Sequence, residues 1–232
     1  MNAPDTLREP LLATARAMTT AGLNVGASGN ASVRLADGLL ITPSGLPAEA
    51  CSPQDMVPLD DEGRPAAGAP AWAPSSEWQI HRDIYAAFPQ AQAVLHAHAP
   101  FATALACQRI EIPPFHYMIA RFGGDTVRCA RYATFGTPAL SEAAVAALQD
   151  RSACLLANHG MLVFGRDLAH ALAQAIEFET LCAQYWRTCQ LGAPVLLSRE
   201  EMDEVIERFR WYGRPRAAAE DAAGDGGGAS RR

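Results

Sequence analysis

The sequence predicts an α/β fold, on three observations. Short apolar, strand-like runs ("LLIT", "AVLHAH", "CLLANHG", "MLVF") are interleaved with segments whose apolar residues recur at helical spacing. Turn signals built on Gly, Pro, Asn and Asp separate the two kinds of segment. The chain of 232 residues also suits one large domain with a sizeable core.

The elements follow in order. Thr6-Leu7-Arg8-Glu9 has capping-box spacing and opens an amphipathic helix through Leu11, Leu12, Ala15 and Met18 that ends at Gly22, weakened by Pro10. "GNASVRL" and "LLIT" flank Asp37-Gly38 and predict a tight hairpin, followed by the loop Pro43-Ser44-Gly45. "MVPLDDEGRP" predicts a loop or short strand, then a Pro/Ala-rich connection. Ser75-Ser76-Glu77 opens a helix with Trp78, Ile84, Tyr85 and Phe88 on its apolar side, closed by Pro89, and the strand "AVLHAH" comes next. Beyond it are a short helix from Pro100, a loop "IPPFHYMIARFGGD", a helix near 139–149, the strands "CLLANHG" and "MLVF", a long helix over 167–191 and a last one over 199–211. From Arg214 the tail is poor in apolar residues and rich in Gly and Ala, which predicts disorder over 214–232 after a catalytic domain over 1–213. No internal repeat is present.

Composition narrows the function. No apolar run approaches the ~18 residues of a membrane span, and "MNAPDTLREP" lacks a basic segment followed by an apolar one, so a soluble cytoplasmic protein is expected, with no membrane partner. A net charge of −6 argues against nucleic acid as a partner, while a small anion could still be held by backbone N–H groups and hydroxyls. Six cysteines are scattered without a C-x-x-C pair, which predicts reduced, partly buried thiols. All 19 basic residues are Arg. Schiff-base chemistry on a carbonyl needs a Lys amine, so carbonyl chemistry here requires another electrophile, for which a metal is the candidate.

The metal reading rests on "VLHAHA". In a strand, His96 and His98 would point to one face about 6.5 to 7 Å apart at Cα, where one ion could bridge them. Two ordinary half-buried histidines are the plainer reading of that pair alone. His159, in Asn158-His159-Gly160 at the end of a buried-looking strand, is a third imidazole, and three protein ligands plus one open position is the catalytic zinc pattern. His81 and His170 lie inside predicted helices and read as structural or solvent-facing. Glu77, in the first turn of the helix before the H-x-H strand, is the acid expected near the ion; its plainer reading is a carboxylate favoured by the helix dipole. Ser75-Ser76, Gly26-Ala27-Ser28-Gly29-Asn30 and Thr42-Pro43-Ser44-Gly45 are three small-residue loops that together suggest a phosphate cradle.

Gly29-Asn30, "ITPSG" at 41–45, "PSSE" at 74–77, "HAH" at 96–98 and "NHG" at 158–160 occur in the order found in the class II aldolase/adducin family, which the chain resembles over about residues 6–213. "HYMIARFGGD", "RYATFGT" and "FRWYG" look most like its L-fuculose-1-phosphate aldolase branch. The resemblance implies a three-layer α/β/α sandwich with a mostly antiparallel central sheet, and a homotetramer with sites between subunits. It implies one Zn²⁺ per subunit on His96, His98 and His159, with Glu77 as ligand and acid/base. It places phosphate on Gly29, Asn30, Ser44, Gly45, Ser75 and Ser76, makes Tyr117 catalytic, and brings Phe135 and Tyr212 to the substrate pocket from a neighbouring subunit or the C-terminus. Ala27 departs from the family, whose closer members carry threonine there; Ser28 stands beside it. The implied reaction is zinc-dependent retro-aldol cleavage of a 1-phospho-2-ketose such as L-fuculose 1-phosphate to dihydroxyacetone phosphate and an aldehyde. Related alternatives are a methylthioribulose-phosphate aldolase, a 4-epimerase (which tends to carry Asp at the place of Glu77), a dehydratase or a decarboxylase. The non-enzyme alternative is an adducin-like interaction module, whose expected sign is loss of the metal ligands.

Overall fold

Period-2 alternation along the strands sorts their side chains onto two faces, and each face is covered by its own helices. The computed structural model describes residues 3–66 and 68–211. Tyr212 and the tail expected over 214–232 lie outside the described residues. One seven-stranded sheet runs β3 (Val57–Leu59), β2 (Gly38–Ile41), β1 (Asn30–Leu35), β4 (Ala93–Ala97), β7 (Gly160–Gly165), β6 (Ala153–Leu156), β5 (Cys129–Ala130). Every pairing is antiparallel except β5 with β6. The helices are α1 (Ala3–Thr20), α2 (Trp78–Ala87), α3 (Pro100–Cys107), α4 (Pro138–Ala147), α5 (Leu168–Leu191) and α6 (Arg199–Trp211).

Ala31, Val33, Leu95, Met161 and Val163 face one core with Leu11, Leu12 and Met18 of α1, Leu105 of α3 and Phe178 and Leu181 of α5. The alternate residues Val94, Leu162, Phe164, Leu39 and Ile41 face a second core with Ile80 and Ile84 of α2 and Leu140 and Ala144 of α4. This is the expected three-layer sandwich with a mostly antiparallel sheet.

Several expectations are adjusted. The first helix starts at Ala3 rather than at Thr6, so Pro10 lies inside it. Pro10 has no N–H to donate, but burial of Leu11, Leu12 and Met18 holds the helix together across that gap. The loop after α3 contains a 3-10 turn, Tyr117–Phe122, which buries Ile119, Ala120 and Phe122 and ends on Gly123 at φ 104°. The two-residue β5 carries no sequence signal of its own. Glu77 is the N-cap of α2, not part of its first turn, and its side chain makes no capping bond. All six cysteines are free. No helix among the described residues is long and apolar enough to cross a membrane.

Arg34 of β1 locks α2 from its far end: its guanidinium donates to the carbonyls of Tyr85 (2.6 Å), Phe88 (3.0 Å) and Ala91 (2.8 Å), groups that the end of a helix leaves without intrahelical partners. The opposite end of α2 is thereby set over the sheet, where β1 and β4 pair Asn30 with His96. Asn30, Ser32 and His96 all point to the α2 side and form a polar strip inside an otherwise apolar layer.

That strip makes stability depend on pH. His81 and His96 are fully buried, and desolvation pushes both imidazoles down to about 3. The unfolded chain takes up protons on these histidines below about pH 6.5 while the fold does not, so stability is present in full above that point and falls as the pH drops from there toward 3. The loss is about 1.4 kcal/mol per pH unit for each such histidine. Denaturant unfolding of chelator-treated protein at about pH 7 and about pH 5 measures it; equal unfolding free energies at the two values would show that these rings are not held neutral.

Candidate metal centre and active site

His96 sits in the middle of the sheet, opposite Asn30 on β1 and Leu162 on β7. Its Nδ1 lies 3.0 Å from the Met161 carbonyl, an acceptor only, so Nδ1 carries the proton and Nε2 is a bare lone pair. That lone pair faces His98 Nε2 at 3.0 Å and Glu77 Oε2 at 3.2 Å. Glu77 Oε1 lies 3.3 Å from His159 Nε2. One ligand atom from each of the three imidazoles falls within 4.8 Å of the other two.

The backbone that presents these groups is legible residue by residue. His159 lies in the three-residue loop joining β6 to β7, and the preceding Asn158 is left-handed (φ 54°), a conformation that asparagine tolerates. Gly160 must lack a side chain, because a Cβ there would stand 2.4 Å from the Ala97 carbonyl oxygen. His98, one residue past β4, donates its backbone N–H to Asn24 Oδ1 at 3.2 Å. Asn24 in turn occupies the space beside Gly29, where a Cβ would lie 2.3 Å from Oδ1. Glu77 adopts N-cap backbone angles (φ −102°, ψ 13°), with its N–H donating to Ser75 Oγ at 3.3 Å, and this turns its carboxylate toward the histidines.

The electrostatics leave a gap that a cation fills. Burial pushes His96 down to about 3 and His159 to about 4, the latter further lowered by His96, while desolvation also lowers His98. All three rings are therefore neutral near pH 7 and offer lone pairs. Glu77 Oε1 is buried with no hydrogen-bond donor. Glu77 Oε1 thus lacks a donor and His96 Nε2 has no proton to give, and a cation placed among the four groups would satisfy both. Three nitrogens and a carboxylate oxygen fit zinc-type coordination.

Glu77, His98 and His159 line an open cleft of about 380 Å³, large enough for a small sugar phosphate. Gly29, Asn30, Ser44, Gly45, Ser75 and Ser76 all line it. Ser28 lines it too, but its hydroxyl donates to the Val25 carbonyl at 2.7 Å, so it offers no free proton in place of a threonine at position 27. Tyr132, Ala133 and Phe135 form an apolar stretch of wall. Phe135, expected from a neighbour or the C-terminus, lines this chain's own cleft and is 63% exposed. Tyr117 is 51% exposed and lines a different pocket, with Met118, Val205 and Phe209. Sequence reasoning missed Asn24, Tyr132 and the second role of Asn158, which accepts from Arg109 Nε at 2.6 Å. Only the buried Asn24, in a Gly-rich stretch, carried a usable signal.

A family model described as "Class II Aldolase and Adducin N-terminal domain" matches residues 9–186. A protein of Rhodospirillum rubrum named 5-methylthioribulose-1-phosphate/5-deoxyribulose-1-phosphate aldolase is 51% identical over 211 residues, covering 89% of this chain and 92% of that protein. The L-fuculose phosphate aldolase of Escherichia coli K12 is 43% identical over 208 residues, covering 89% and 95%. A solved structure of an L-fuculose 1-phosphate aldolase superposes with a TM-score of 0.85 at 35% identity, over 90% of this chain and 98% of that one. The chain belongs to the class II aldolase and adducin family, among its aldolases, which are metal-dependent lyases.

Proposed function

We propose that this protein cleaves a 1-phospho-2-ketose by a reversible retro-aldol reaction, giving dihydroxyacetone phosphate and an aldehyde, with Zn²⁺ on His96, His98, His159 and Glu77. The observation that carries the reading is the convergence of three neutral imidazoles and one carboxylate beside a cleft lined by Asn30, the serines of three small-residue loops and an apolar wall. A bound ion of this kind would supply Lewis acidity where negative charge develops on the substrate's C2 oxygen. Glu77 exchanges the proton at C3, and Gly29, Asn30, Ser44, Gly45, Ser75 and Ser76 orient the phosphate. The presence of all four candidate ligands weighs against a non-catalytic adducin-like module, and a Glu at position 77 against a 4-epimerase.

The apolar wall of Tyr132, Ala133 and Phe135 suits an aldehyde that ends in an apolar group. A methylthio or deoxy end, as in the substrates named for the 51% identical relative, meets this requirement. So does the methyl end of L-fuculose 1-phosphate, favoured by the sequence motifs and by the 43% identical relative. The two differ in a hydroxyl beside the new aldehyde. We further read the working unit as a homotetramer in which Tyr117 of one subunit manages the C4-oxygen proton in the next, supported by its exposure and its place outside its own cleft.

Three experiments test the proposal. Zinc-loaded protein offered 5-methylthioribulose, 5-deoxyribulose and L-fuculose 1-phosphates should release dihydroxyacetone phosphate from at least one; release from none would overturn it. Glu77→Gln keeps the shape but not the proton exchange, and turnover should fall by roughly 10²-fold or more while elemental analysis still finds zinc; near-normal turnover would reduce Glu77 to a ligand. Mixing inactive Tyr117→Phe and His98→Ala subunits under exchange conditions should restore activity, and failure after verified exchange would place Tyr117 outside the shared site.

A further inference from the structure

His81 is fully buried on α2, four positions past the Glu77 N-cap, and nothing in the proposed chemistry uses it. Its two ring nitrogens are nevertheless both engaged. Nε2 lies 2.6 Å from Asn30 Oδ1 and Nδ1 lies 2.7 Å from Ser32 Oγ, which is itself 2.7 Å from Tyr85 Oη. On the other side, Asn30 Nδ2 donates to Glu77 Oε2 at 3.0 Å. The result is a continuous buried chain from Tyr85 through Ser32, His81 and Asn30 to Glu77.

The donor and acceptor inventory gives this chain one direction. A buried phenol whose neighbour is Ser32 Oγ must donate to it, since otherwise its proton has no acceptor. Ser32 then donates to His81 Nδ1. A neutral imidazole that accepts at Nδ1 carries its hydrogen on Nε2, and that hydrogen requires an acceptor, so Asn30 must present Oδ1. The same planar amide must then present Nδ2 on its other side. Turned by 180°, Asn30 would put Oδ1 against Glu77 Oε2, acceptor against acceptor, and Nδ2 against an N–H of His81.

We infer that Tyr85, Ser32 and His81 form a positioning relay that fixes the amide of Asn30 with its nitrogen toward Glu77 and the cleft. One Nδ2 hydrogen holds the Glu77 carboxylate, and the other is left for an anion in the cleft that Asn30 lines. A single amide orientation thus serves both the carboxylate and the phosphate. The use made of the second hydrogen rests on the proposed phosphate role of the cleft; the direction of the chain does not.

Two measurements separate those claims. Nitrogen-15 NMR of histidine-labelled protein should show His81 as the neutral Nε2–H tautomer, with and without zinc; an Nδ1–H tautomer or a cationic ring overturns the relay whatever the protein catalyses. Ser32→Ala removes the donor that sets the tautomer at little change in volume, and should give His81 mixed tautomers and shifted Asn30 side-chain amide signals. Affinity for inorganic phosphate should drop about three- to tenfold with zinc content unchanged. Ser32→Thr, which retains the hydroxyl, should restore the single tautomer. If Ser32→Ala lowers thermal stability but leaves the His81 tautomer and the Asn30 signals as they were, the chain is packing only and the relay is wrong. If those signals move but wild-type protein binds no phosphate, the relay stands and the phosphate reading fails.

Discussion

The hydrogen bond from His96 Nδ1 to the Met161 carbonyl is the contact on which the rest of the site depends. It ties the ring to the neighbouring strand through 3.0 Å and removes the only proton from the side that faces Glu77 and His98. Once that is done, Nε2 can serve only as an acceptor. Its neighbours are His98 Nε2 at 3.0 Å and Glu77 Oε2 at 3.2 Å, and the other Glu77 oxygen, Oε1, is buried without a donor. A cation among these groups would take the His96 lone pair and the orphaned carboxylate oxygen together.

Such an orphaned oxygen is tolerable because the two faces of the sheet divide the work. The face toward α1, α3 and α5 is built almost wholly from buried aliphatic and aromatic side chains, including Phe122 and Phe178 with ring centroids 5.2 Å apart. Each fully buried side chain of this size contributes about 1.5 to 3 kcal/mol. The face toward α2 carries the polar strip of Asn30, Ser32 and His96, and its hydrogen bonds close onto His81, Tyr85 and Glu77. Arg34, bonded to three carbonyls at the end of α2, keeps that helix in place over a layer that has exchanged apolar contacts for directional ones.

Much of this was legible in the sequence where local chemistry decides the outcome. The Asp37-Gly38 turn, the long helix over 167–191 and the strand pair around "NHG" are written in residues whose local preferences admit few alternatives. So was the histidine set, since two imidazoles in one apolar strand and a third at a glycine turn have few structural uses together. What was not legible depends on contacts across the chain. Glu77 reads as a helix-start carboxylate, and only the position of β1 beneath α2 turns it into a partner of Asn30. His81 reads as an ordinary helical histidine, and only the register that sets Ser32 and Asn30 on the α2 face gives both its nitrogens a partner. Phe135 reads as a pocket residue through the motif it belongs to, and only the fold shows that it lines the cleft of its own chain. The start of α1 lies three residues ahead of the capping-box pattern at Thr6, which carries no side-chain signal for the extra turn.

The lack of lysine has a consequence that extends from composition to the site. Among the described residues no arginine lines the cleft, and Arg109, the cation beside it, is engaged with Asn158 and the face of Tyr132. What remains there are neutral donors: the amide of Asn30 and the hydroxyls of Ser44, Ser75 and Ser76, the last two in the turn just before α2, whose dipole favours an anion. On the proposed phosphate role these would orient the anion but supply little net charge against the carboxylate of Glu77, which lines the same cleft. A divalent ion on the three histidines would reverse the sign of the local field. On the proposed reading a phosphoester and the metal would be coupled ligands, each improving the site for the other. A cleft made this way would hold its anion by shape and donor geometry, with positive charge supplied by an ion on the three histidines.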